Sequence, residues 1–214
     1  MTRFRSVILD ADSTLSGIEG IDWLAKRRGM GVAEEIAELT GKAMEGSVPI
    51  ESLYGLRLDL VRPGRDEVAA LGAAYRAEVA PGAGEAVRAL RAAGVRVHVV
   101  SGGLREALLP FVSWLGFAPE ELHAVGIRFD AEGRFAGWEV ESPLATSTGK
   151  VAVARRLALP APLLAVGDGS TDLALREAGA TFAAYTGFVR RGPVVAGADL
   201  ILDSFDQLVP LVTS

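Results

Sequence analysis

Short runs rich in Val, Ile and Leu recur at residues 5–9, 95–100, 162–166, 180–184 and 199–202. Between most of them lie stretches whose apolar positions return every three to four residues, at 83–93, 103–116, 149–158 and 171–178. Runs this short and this apolar predict strands buried on both faces, and their alternation with amphipathic helices predicts an α/β fold with a parallel sheet covered by helices. Gly94 and Gly179 stand where two of the helices should stop. Residues 126–139, GIRFDAEGRFAGWE, alternate around a Glu-Gly turn and predict a β-hairpin. His98 falls inside a predicted strand and His123 in a connecting turn; both are read as structural rather than catalytic.

The interval after the first run breaks the pattern. Helical periodicity at 19–29, 32–45, 49–61 and 65–77 is far more than one βαβ crossover needs. The economical reading is a core of residues 1–14 and 75–214, with a small helical lobe, 15–74, inserted after the first strand.

Composition narrows the classes. With 50% hydrophobic and 23% charged residues the chain can bury a full core, and a formal net charge of −5 does not point to nucleic acid or an anionic membrane. Cysteine is absent, which removes disulfides, thiol catalysis and thiolate metal sites. The opening MTRFRSVILDADST has its apolar run broken early by aspartate, so the protein reads as cytoplasmic.

Ligands of open parallel sheets bind beyond the carboxyl ends of the strands. Asp10-Ala11-Asp12-Ser13-Thr14 follows the first run, Ser101-Gly102-Gly103 the second, and Gly167-Asp168-Gly169-Ser170-Thr171-Asp172 the third, while Lys150 opens the preceding helix. Alone, each is a turn, a cap or a solvated lysine. Together they place Asp10, Asp12, Asp168 and Asp172 on one edge, where four carboxylates need a cation. Oxygen ligands without His or Cys suit Mg²⁺. Ser101, the amides after it and Lys150 suit a phosphate. One aspartate can act as nucleophile, and a second, two residues on, can move the proton.

These four parts, Asp-x-Asp-x-Thr, a Ser, a Lys and Gly-Asp-x-x-x-Asp, resemble the haloacid dehalogenase superfamily of phosphohydrolases. DADSTLSGIEGIDWLAKRRG, AMEGSVPIESLYGLRL, VVSGG and GDGSTDL resemble, more narrowly, its phosphoserine phosphatase family, from about residue 4 to 203. The resemblance implies a three-layer Rossmann-like (HAD-type) core with a helical cap, and a Mg²⁺-dependent hydrolase that passes through an aspartyl-phosphate. It implies Asp10 as nucleophile and Asp12 as acid–base, with Asp10, the backbone carbonyl of Asp12 and Asp168 on the metal and Asp172 supporting them. It implies Ser101, Gly102, Lys150 and Thr171 around the substrate phosphate, Glu19 on its ammonium and Arg57 on its carboxylate. The implied partner is a small molecule, phosphoserine, with no nucleic acid and no membrane; a monomer and a homodimer both fit. Ala11, Ile50 and Leu104 stand where that family often has other, mostly larger apolar residues, which predicts a looser pocket. The competing readings are a phosphatase or phosphotransferase of other small-molecule specificity, and a phospho-accepting signalling module.

Overall fold

The computed structural model describes residues 2–45 and 47–214; Gly46, within the AMEGSVPIESLYGLRL stretch, lies outside the described residues. Six strands form one parallel sheet: β1 (Ser6–Leu9), β2 (Arg96–Leu104), β3 (Leu122–Val125), β6 (Leu163–Gly167), β7 (Thr181–Tyr185) and β8 (Leu200–Leu202), in the order β3-β2-β1-β6-β7-β8. The hairpin β4 (Ile127–Phe129) and β5 (Phe135–Trp138) is antiparallel, as its alternation predicts. All four residues of β1 are buried, because β1 lies between two strands and under helices on both faces. The chain leaves β1 for β2 on one side and later returns to β6 on the other, so β1 marks the switch point where ligands bind.

Four helices separate β1 from β2: α1 (Gly20–Ala25), α2 (Met30–Met44), α3 (Tyr54–Val61) and α4 (Arg65–Ala77). The expected boundary at residues 74–75 lies inside α4. The remaining helices are α5 (Ala83–Ala92), α6 (Arg105–Trp114), α7 (Gly149–Leu157), α8 (Ser170–Leu173), α9 (Gly192–Gly197) and α10 (Leu208–Thr213). The helix expected over 171–178 is one short α turn followed by a 3₁₀ stretch, Ala174–Ala178. Among the described residues no helix is long and apolar enough to cross a membrane.

Two expectations about strands are corrected. His123 is not in a turn but on β3, an edge strand whose short apolar run the histidine itself breaks, and its ring stacks on that of His98 on the adjacent β2. The second strand does not end before Ser101: β2 runs on to Leu104, and its ladder to β3 is interrupted between Val100 and Leu104. That interruption frees the backbone around Ser101, Gly102 and Gly103 from regular pairing while keeping it in the sheet.

Candidate active site

Asp10 is the first residue past β1, and its backbone N–H still donates to Val166 of β6 at 3.0 Å. The buried strand thus sets the position of a carboxyl that, at 7% exposure, cannot be solvated by bulk water. Asp168 and Asp172 arrive from the other side, after β6 and in the first turn of α8. Carboxylate oxygens of Asp10, Asp168 and Asp172 lie within 4.8 Å of one another. Lys150 Nζ is 2.6 Å from Asp172 Oδ1 and 2.9 Å from Asp10 Oδ1. Burial alone would push Lys150 down, but the Asp10 and Asp172 carboxylates outweigh it and hold the ammonium above its usual range. Gly149 lets α7 start there: a Cβ on it would lie 1.7 Å from the Pro143 carbonyl oxygen.

The Lys150 ammonium, even together with the Arg191 guanidinium beside Asp168, does not balance the carboxylates Asp10, Asp12, Glu19, Asp168 and Asp172. Burial, then the Glu19 and Asp10 carboxylates, raises Asp168 to about 7. Burial and Asp10 raise Asp12 to about 7, and burial and Asp12 raise Glu19 to about 8. Asp10 Oδ1 is buried with the Lys150 ammonium, shared with Asp172, as its charged neighbour at 2.9 Å. A shortfall of positive charge and an all-oxygen donor set within 4.8 Å fit a hard divalent cation. Asp172 is engaged at both oxygens, by Lys150 at 2.6 Å and by the Gly169 N–H at 3.1 Å, so it is a helix cap and a lysine anchor before it is a ligand.

Ser101 is buried, and its Oγ accepts the Gly103 N–H at 3.0 Å, leaving its own O–H to donate. The lobe lies against the core at this point. Tyr54 of α3 donates to the Gly102 carbonyl at 2.7 Å, Ser170 Oγ donates to the Ala43 carbonyl at 3.1 Å, and Ser147 donates to Glu51 at 2.7 Å. Asp10, Asp12, Glu19, Arg57, Ser101, Gly102, Lys150, Asp168 and Thr171 line a single cavity, with Ile21, Ile50, Tyr54 and Leu144 as part of its apolar wall. Asp172 stands behind Lys150. Arg57 is only 4% exposed; its ion pair to Asp22 is long at 3.4 Å, and among the described residues its Nε has no partner. Of the three positions expected to loosen the pocket, Ile50 lines the cavity, whereas Ala11 and Leu104 are buried in the core.

Three neighbours escaped the sequence reading. Arg191, between β7 and α9, donates from Nε to Asp168 Oδ2 at 2.9 Å and reaches Glu19 Oε1 at 3.3 Å. The signal for it was available: applying the strand-end rule to β7 as well leads to the Arg190-Arg191 pair. Ser13 donates to Glu19 Oε1 at 2.7 Å, and Tyr75 donates to Asp12 Oδ1 at 2.6 Å.

A family model for haloacid dehalogenase-like hydrolases matches residues 7–177. The chain is 35% identical over 209 residues to the chloroplastic phosphoserine phosphatase of Arabidopsis thaliana, covering 95% of this chain and 70% of that one. It is 32% identical to the human phosphoserine phosphatase, covering 95% of this chain and 91% of the relative. Among solved structures, a phosphoserine phosphohydrolase-like protein from Francisella tularensis superposes with a TM-score of 0.90 at 25% identity, covering 98% of this chain and 100% of the other.

Proposed function

The chain belongs to the haloacid dehalogenase-like hydrolase family, and from that premise we propose that it hydrolyses O-phospho-L-serine to L-serine and phosphate. The observation that carries the reading is one cavity that joins the groups for phosphoryl transfer to the groups for substrate selection. Asp10, Asp12, Lys150 and Asp168 lie at its floor, with Glu19 and the under-partnered Arg57 on its walls. A carboxylate and a fork-shaped guanidinium lining one cavity suit a zwitterion, which an aryl or sugar phosphate is not. The names of the relatives point to the same substrate. The inserted helices α1 to α4, residues 15–74 extended to the end of α4, act as a cap over the sheet core, shutting bulk water from the bond being broken.

In the first step a carboxylate oxygen of Asp10 forms a bond to phosphorus as the bond from phosphorus to the seryl oxygen breaks. The seryl oxygen keeps that electron pair and takes the proton of Asp12, leaving serine. In the second step a water oxygen attacks the phosphorus of phospho-Asp10, Asp12 takes the water's proton, and the Asp10 carboxylate departs with the electrons of its bond. Phosphate is released and both aspartates return to their starting states. A side chain that gives and then takes a proton works best near neutral pH, and the rise of Asp12 to about 7 suits both duties. Lys150, Ser101, the Gly102 amide and Thr171 hold the phosphoryl oxygens. Asp10, the Asp12 backbone carbonyl and Asp168 would hold Mg²⁺, which supplies charge neutralisation for the transferring group. Asp172 keeps Lys150 and the α8 turn in place.

The test is phosphate release from L-phosphoserine, phosphothreonine, 3-phosphoglycerate and an aryl phosphate, with and without Mg²⁺. Preference for phosphoserine, lost with chelator, is the expected result. Turnover of the aryl phosphate alone would overturn the substrate while keeping the core chemistry. Transfer to an added alcohol in place of water would make the enzyme a phosphotransferase, and a long-lived phospho-Asp10 would favour a signalling module.

A further inference from the structure

Asp12 is held at both oxygens by groups outside its own loop. The Tyr75 hydroxyl, from the far end of the inserted helices, donates to Oδ1 at 2.6 Å, and the Gly20 N–H at the start of α1 donates to Oδ2 at 2.9 Å. We propose that Tyr75 is a positioning residue for the acid–base carboxyl, its hydroxyl fixing the rotation of Asp12 so that the carboxyl meets the departing seryl oxygen. The proposal rests on the reading of Asp12 as the acid–base group.

A carboxyl on a short side chain turns freely about its last bond unless both oxygens are engaged, because its terminal torsion is broad. Reaction needs the proton within hydrogen-bond reach of one oxygen and along one direction. The Tyr75 ring supplies the rigidity for this. It is fully buried and stacks on Phe111 of α6, with centroids 5.7 Å apart and planes 17° from parallel. α4 is pressed against α6 there, since a Cβ on Gly72 would lie 2.9 Å from the Ala107 carbonyl oxygen. The hydroxyl therefore belongs to a helix packed on the core. Burial and the nearby Asp12 carboxylate raise Tyr75 well above its usual range, so it remains a donor. Gly20 is shaped to the same contact: a Cβ on it would come within 2.3 Å of the Tyr75 hydroxyl oxygen, closing the space in which the bond to Asp12 is made. Two elements thus converge on one carboxyl, and neither offers it more than a single hydrogen bond.

A buried tyrosine also needs a partner for its own sake, so the experiment must separate positioning from packing. Serine leaves as a strongly basic alkoxide and depends on the proton from Asp12, whereas p-nitrophenolate leaves without one. Tyr75→Phe keeps the ring and removes the hydroxyl. We expect kcat/KM for phosphoserine to fall about 10- to 100-fold, less than the roughly 10²- to 10⁴-fold of complete general acid catalysis because the carboxyl is misaligned and not removed, and kcat/KM for p-nitrophenyl phosphate to fall less than about threefold, with Mg²⁺ affinity and melting temperature close to wild type. Equal losses on the two esters, or no loss on either, would overturn the positioning role. Asp12→Asn is measured beside it, also as kcat/KM, which reports transfer to Asp10 and not the shared second step in which Asp12 acts as base. If Asp12→Asn is selective for phosphoserine and Tyr75→Phe is not, only the positioning fails; if Asp12→Asn affects both esters alike, the acid–base reading fails first. Should Tyr75→Phe melt too low to assay, Gly20→Ala, which crowds the hydroxyl off Oδ1, carries the same selective expectation.

Discussion

The guanidinium of Arg191 donates to Oδ2 of Asp168 at 2.9 Å, placing a fixed positive charge on a carboxylate assigned to the metal. A cation bound there feels like-charge repulsion from Arg191, weakened by the hydrogen bonding of its other arm to Glu19 at 3.3 Å. Arg191→Gln should therefore tighten Mg²⁺ binding by roughly fivefold, equivalent to about 1 kcal/mol of repulsion removed. Calorimetric titration of Mg²⁺ into both proteins checks this; weaker binding in the variant would mean that Arg191 organises the site.

Asp10→Asn removes the attacking oxygen's charge and replaces half of the carboxyl by an amide. Phosphate release should drop by roughly 10⁴ or more. Release within tenfold of wild type, assayed over hours to reach such a floor, would rule Asp10 out as nucleophile.

Arg57 is buried with an unpartnered Nε, which is costly unless a ligand's carboxylate completes it. Arg57→Ala should raise KM for phosphoserine at least about tenfold, since hydrogen bonds to a charged group are worth roughly 1.5–3 kcal/mol each. The aryl phosphate, which has no carboxylate, should change less than about threefold. Parallel steady-state assays of the two esters decide the matter.

Metal binding to the folded chain alone should appear as stability. Mg²⁺ at 100 times its dissociation constant should add about 2.7 kcal/mol to unfolding. Melting in excess Mg²⁺ against excess chelator measures the shift, and Asp168→Asn should abolish most of it.

His98 Nδ1 and His123 Nε2 are 3.3 Å apart, with Arg105 and Arg156 acting on His123 and Glu121, Arg91 and Arg96 on His98. Burial, then the His98 charge and the arginines, lowers His123 from 6.5 to about 4. The unfolded chain therefore takes up a proton at about 6.5 that the folded chain refuses until about 4, and stability falls as pH drops through that window. His123→Gln should flatten this acid-side loss. Melting temperatures from pH 7 to 4.5, compared as wild type minus variant, isolate the effect because the active-site carboxylates contribute equally to both. A difference that does not change with pH would refute the pairing.

Local pattern determined much of this protein. Apolar runs marked β1, β2, β6, β7 and β8, most sharply β1 and β6, because a strand covered on both faces must be apolar throughout. Asp10, Asp12, Asp168 and Asp172 were legible because they end those runs, and the surplus of helical periodicity before residue 78 revealed the insertion. Glu19 and Arg57 were legible only through family resemblance; nothing in their spacing distinguishes them from solvated helix residues. What required the tertiary structure depends on contacts between distant segments. β3 exists because Leu122 and His123 pair with Val99 and Val100, and β2 runs past Ser101 because Leu104 pairs with Val125 again beyond the interruption. The meeting of Arg191 with Glu19, and of Tyr75 with Asp12, joins positions 172 and 63 residues apart. Periodicity reports which face of an element is buried, whereas a buried polar group finds its partner by packing across the whole chain.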